Sequence, residues 1–241
     1  MSNVKNVEAL ARLVGLCTGL GGQYNPGQQN LQVVSMQTLL SNAQEVLLKV
    51  STTKTKHENA TDNRELLYEE IRELVRRIIA ELKSSGATSL SIANAQTMAR
   101  KINGSRYKAD PDSIPEPGQP NAEVPAKRRA RGRDYASVAH HFEKLLETLS
   151  AELSYEPSAE QLQVSSLQQM LASMYQANDE VLQAYVAWNS ARAERDELFY
   201  GKNGSLFTTG RKVKHKVKAV FGFSSKAYQD VREVRFTKPQ I

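Results

Sequence analysis

One cysteine, Cys17, stands among 241 residues, which excludes an internal disulfide framework and a cysteine-rich metal site. Its position on an apolar helical pattern reads as a small buried residue. The stretch "LVGLC" is a poor lipoprotein cleavage box, because Leu16 stands where a small residue is needed and Glu8 and Arg12 interrupt the apolar run. Nowhere is there an unbroken apolar stretch of the roughly 18 residues that a membrane span requires, and a cytoplasmic location is the expectation. Histidine is equally scarce. His57, His140, His141 and His215 are scattered, and although His140 and Glu143 stand at i,i+3, no second Glu-x-x-His completes a di-metal bundle site. Neither glycine-rich stretch is a phosphate loop: "GSLFTTGRK" has the wrong spacing and ending, and "GLGG" follows a helical pattern. No catalytic, metal-binding or cofactor motif is present, so neither an enzyme nor a cofactor is expected. Aromatic residues are sparse at 7%, and alternating strand patterns are nearly missing.

What the chain does have is a phrase written twice. "YNPGQQNLQVVSMQTLL" begins at Tyr24 and "YEPSAEQLQVSSLQQML" at Tyr155, with eight of 17 aligned positions identical. A duplicated unit is the economical explanation. Val33, Met36, Leu40, Ala43, Leu47 and Val50 step in threes and fours, as do Val164, Leu167, Leu171, Met174, Asn178, Val181, Tyr185 and Trp188. That rhythm is the apolar seam of a long helix. Asn178 is either a polar core residue that sets register or a point where the seam drifts to Leu182. The aromatic pair Tyr185 and Trp188 falls on the seam and reads as core. Tyr-x-Pro ahead of each phrase marks the entering turn.

A second correspondence pairs "RELLY" (Arg64–Tyr68) with "DELFY" (Asp196–Tyr200), after which the copies diverge. The first runs on to a stop near Gly86, whereas the second breaks at "GKNGSLFTTG" and resumes as "RKVKHKVKAVFG". Earlier amphipathic helices are predicted near Val4–Leu20 and Ala136–Leu153, and closing helices near Ser89–Asn103 and Ser224–Val234. In "YEEIRELVRR", Glu73 is expected to pair with Arg77 and Glu69 with Arg72 along the helix surface.

The expected architecture is all-α: two related antiparallel helical bundles of four helices each. The first would occupy residues 1–105 and the second 134–241. Between them, residues 106–133 hold five of the eight prolines, all within 111–125, and read as an extended linker.

The second half, with "FEKLLETLSAELSYEPSAEQLQVSSLQQML", "ARAERDELFY" and "KVKAVFGFSSKAYQDVREVRF", resembles a family of uncharacterised bacterial helical proteins. Shared features are a basic V-K-x-x-F-G step, a Ser-x-x-Tyr turn and an apolar-basic tail. The resemblance covers roughly residues 142–238, is looser in the first half, and implies a helical bundle, often duplicated. It carries over no activity.

Charge is the remaining signal. The chain bears a formal net charge of +6, concentrated in two clusters. "KRRARGR" places Lys127, Arg128, Arg129, Arg131 and Arg133 at the end of the linker, where a cationic arm can neutralise phosphates without a preformed pocket. "RKVKHKVKAVFG" interleaves Arg211, Lys212, Lys214, Lys216 and Lys218 with Val213, Val217 and Val220 or Phe221, so an apolar stripe should leave a cationic ridge facing water. These ten residues are the candidate nucleic-acid contacts. The leading expectation is a non-enzymatic protein that binds nucleic acid, a nucleoprotein or another polyanion. The alternative is a self-assembling scaffold or protein-interaction module, with a homo-oligomer or a dedicated protein as its partner. An enzyme of unknown type comes third.

Overall fold

The computed structural model describes residues 2–104 and 134–238. The proline-rich stretch 106–133, with its cluster at Lys127, Arg128, Arg129, Arg131 and Arg133, therefore lies outside the described residues. Among the described residues the chain is all-helical: α1 (Ser2–Gly19), α2 (Val33–Ser84), α3 (Ser89–Asn103), α4 (Tyr135–Ala151), α5 (Val164–Tyr200), α6 (Leu206–Phe221) and α7 (Lys226–Glu233).

Helix lengths follow from where glycine and proline are missing. Neither residue occurs between Gly27 and Gly86, and α2 runs unbroken for 52 residues. The first half therefore holds three helices where four were expected. In the second half α5 stops at Tyr200, and α6 restarts behind Ser205, whose hydroxyl accepts the Thr208 N–H at 3.3 Å. Thr88, Asp134 and Ser225 cap α3, α4 and α7 in the same way, each supplying a side-chain acceptor to a backbone donor that the helix leaves unpaired. The Ser-x-x-Tyr motif is one of these caps, with Ser225 accepting the Tyr228 N–H at 3.2 Å.

The two matching phrases build matching turns. Tyr24 donates its hydroxyl to the Leu31 carbonyl at 3.0 Å, and Tyr155 donates to the Leu162 carbonyl at 2.9 Å. One 3-10 turn spans Gln29–Leu31 and another Glu160–Leu162, and each is followed by an extended glutamine, Gln32 or Gln163. Both tyrosines and both leucines are buried, as are Met36 and Leu167 at the next seam position. The invariant core of the phrase is thus a phenol that folds back to cap its own turn. It satisfies a carbonyl that burial would otherwise leave unpaired.

Two compact units emerge, and they are drawn across the sequence halves. One comprises residues 1–58 with 183–241, the other residues 59–182. The dividing points fall inside α2, after Glu58, and inside α5, after Leu182. Each unit accordingly takes the opening of one half and the close of the other, rather than following the expected 1–105 and 134–241 division. The first unit packs Leu10, Leu13 and Cys17 of α1 and Met36 of α2 with Phe199, Leu206, Val213, Val217 and Val231. The second packs Ile71, Val75, Ile78 and Leu82 of α2 with Phe142, Leu145 and Leu149 of α4 and Leu167 of α5.

Polar groups finish both cores. In the first unit the fully buried Asn6 donates to the Thr237 carbonyl at 2.8 Å and accepts the Thr237 N–H at 2.8 Å. Its amide matches a backbone peptide group and fastens residues 234–238 to α1. In the second, Asn178 donates to the Tyr68 hydroxyl at 2.9 Å, and Tyr68 donates to the Tyr135 carbonyl at 3.0 Å. Asn178 is therefore a half-buried polar residue bonded to the core tyrosine Tyr68, and Leu182 is 60% exposed.

Candidate nucleic-acid interface

The cationic helix α6 lies in the first unit. Leu206, Thr209, Gly210, Val213 and Val217 form its buried stripe. Stepping at 100° per residue from Val213, the basic residues separate into two flanks rather than one ridge. Lys212 and Lys216 fall on one side with His215. There, with Ala219, they line an open cleft of about 470 Å³ whose far wall is Pro26, Gly27, Gln28 and Leu31 of the entering turn. Arg211, Lys214 and Lys218 fall on the other side and lie over aromatic rings.

On this second flank, Arg211 is 5.9 Å and Lys238 5.5 Å from the Phe207 ring centre. Lys214 is 5.7 Å from Phe236, and Lys218 is 5.3 Å from Phe223 and 5.9 Å from Tyr228. Arg232 approaches Phe223 at 5.9 Å. Cations over ring faces are attracted to the π-electron density.

Lys214 departs from the sequence expectation. Its ammonium turns inward and donates to the Val234 carbonyl, with the Arg232 carbonyl at 3.4 Å. Burial foremost, and then the nearby Arg235 charge, hold its pKa below the ordinary lysine value. Lys214 fastens the C-terminal segment, and the free cations of α6 are Arg211, Lys212, Lys216 and Lys218. None of these four has a carboxylate within 4.0 Å among the described residues.

Charge is distributed very unevenly. The first unit carries 17 lysines and arginines against eight acidic residues, while the described part of the second carries eight against 14. Residues 105–133 supply the remaining +3 of the chain's formal +6, which thus conceals a strongly cationic unit beside an acidic set of described residues in the other.

Other expectations are refined. Glu73 pairs with Arg76 at 2.9 Å, not with Arg77. Arg77 instead reaches the side chain of Gln161 at 2.9 Å, bracing the second turn. Arg72 has no ion pair with Glu69 among the described residues. His140 and Glu143 form an exposed contact at 3.4 Å, and Glu143 also accepts the Tyr175 hydroxyl at 3.0 Å. No group of three or more potential metal ligands occurs among the described residues, and none of their helices is long and apolar enough to cross a membrane. Tyr185 and Trp188 are not core: Tyr185 is exposed, Trp188 half-buried, and both rings stand against His57 at 5.7 and 5.5 Å.

The residues that sequence inspection missed are Phe223, Tyr228, Arg232 and Lys238. Their signal was faint, a Gly-Phe step closing a basic helix and isolated cations in the tail. Their convergence depends on how α7 and residues 234–238 fold back. Compared with known proteins, the chain matches no family model, no curated protein and no solved structure.

Proposed function

We propose that this protein is a non-enzymatic nucleic-acid-binding protein, holding RNA, DNA or a nucleoprotein through the α6 face and the cationic arm at 127–133. One observation carries the reading: Arg211, Lys212, Lys216 and Lys218 stand together on one helix without acidic partners among the described residues. Clustered unpaired cations raise the local positive potential, attract phosphates and release their condensed counterions. The cleft beside Lys212 and Lys216 is open to solvent, which suits a backbone laid along it rather than an enclosed small molecule. Salt titration of binding to a labelled oligonucleotide tests the reading. Affinity should fall linearly on a log–log plot, and no binding at low salt would end it.

A second reading, self-assembly, is favoured by the opposite charges of the two units: a cationic unit of one copy suits the acidic unit of another. Light scattering separates it from the first. A mass that rises with protein concentration at low salt and collapses at high salt supports assembly. A constant monomer mass leaves it without support.

We also infer that the halves descend from one duplicated module. The matched Tyr–Leu hydrogen bonds and 3-10 turns support this, as does the way each unit joins one opening to one close.

A further inference from the structure

Phe223 is 59% exposed for a reason legible in its neighbourhood. Gly222 ends α6 at φ 85°, its N–H bonded to the Lys218 carbonyl at 3.0 Å. With ψ at 162° this is an extended, positive-φ exit that glycine alone takes readily, and it carries the chain out of the helix at Phe223. Here the last-turn residue that Phe223 meets is Lys218, not an apolar side chain. The Lys218 ammonium lies 5.3 Å and the Arg232 guanidinium 5.9 Å from its ring centre, and the Tyr228 ring is 5.6 Å away. An aromatic ring is therefore 59% exposed with two cations lying over it. Neither cation has a carboxylate within 4.0 Å among the described residues; the nearby Glu233 is engaged by Arg12 at 3.4 Å.

Resting on the nucleic-acid reading above, we propose that Phe223, Lys218 and Arg232 form a stacking site for one unpaired base, so that the nucleic acid held by this face is single-stranded. An unpaired base has both faces free to stack, and its flanking phosphates suit the two cations held near the exposed ring. In a duplex the base faces are already occupied by their neighbours, and only the phosphates remain for the protein. Stacking of one base on an aromatic side chain changes affinity by about one to two powers of ten, whereas phosphate contacts govern the salt dependence.

The test uses the full chain, a labelled 12-nucleotide single strand, the same sequence as a duplex, and vesicles of mixed neutral and anionic lipid. Phe223→Ala should weaken single-strand binding by about tenfold with an unchanged salt slope and duplex binding within about twofold. Phe223→Trp should restore or exceed the original affinity. Melting temperatures of both variants verify the fold, which an exposed ring leaves largely untouched. The stacking proposal is overturned, with the nucleic-acid reading intact, if Phe223→Ala binds the single strand like the unaltered chain or loses duplex affinity equally. Both fall together if no oligonucleotide binds at low salt. Capture by vesicles alone, lost in Phe223→Ala, overturns both in favour of a membrane surface.

Discussion

Replacing Lys214 and replacing its neighbours on α6 should have opposite signatures. Arg211, Lys212, Lys216 and Lys218 have no ion pairs among the described residues, so each should contribute its charge to a bound phosphate backbone and little to folding. Each phosphate contact adds about 0.7 to the salt slope for a single strand or about 0.9 for B-DNA. Removing all four should flatten the slope by about three. Between 50 and 200 mM salt, that contribution corresponds to roughly a 50-fold change in affinity. Lys214 donates to the Val234 carbonyl and fastens the tail. Lys214→Ala should leave the slope unchanged and cost about 1 kcal/mol of stability, since a charge-assisted hydrogen bond is lost while an ammonium is relieved of burial. Fluorescence anisotropy against salt and thermal unfolding by circular dichroism measure the two axes separately. If Lys214→Ala flattened the slope as much as Lys212→Ala did, with no loss of stability, the division of the helix into anchoring and free cations would be wrong.

Three further outcomes follow from the packing. Tyr24→Phe and Tyr155→Phe should each cost about 1–2 kcal/mol by orphaning a buried carbonyl, and in urea titrations the double variant should lose the sum, because the sites share no partner. A large cost at one site and none at the other would break the structural equivalence of the turns. Gly210→Ala would set a methyl group 2.5 Å from the Phe236 ring. It should destabilise by about 1–2 kcal/mol despite alanine's better helix propensity, and adding Phe236→Ala should cost less than the two separate losses combined. Cys17 is buried, and burial pushes its thiol up to about 11, partly opposed by the Tyr24 hydroxyl. A thiol reagent at pH 8 should therefore label it only as fast as the first unit opens. Labelling at the rate of a free thiol would contradict that burial.

Local features were legible because their causes are local. The 3–4 spacing of Val33 to Val50, the breaks at Gly86 and Gly201, and the repeated Tyr-x-Pro turn all depend on residues within a few positions of each other. The same kind of reasoning went astray where partners lie far away. Glu73 had two arginines in helical reach, and Arg77 was drawn instead to Gln161, 84 residues on. Tyr185 kept the seam period yet stayed exposed, since a period identifies a face but not what covers it.

By itself, the sequence established an all-helical chain, the positions of most of its helices, two equivalent turns and a cationic helix α6 with a valine stripe. Only tertiary structure decided that each unit joins the opening of one half to the close of the other, that Lys214 is spent on the tail, and that Phe223 stands beside Lys218 and Arg232. Helix formation is governed by interactions three or four residues apart. Which faces meet, and which charges are left free, is decided by contacts between residues as distant as Asn6 and Thr237, and no local pattern encodes those pairings.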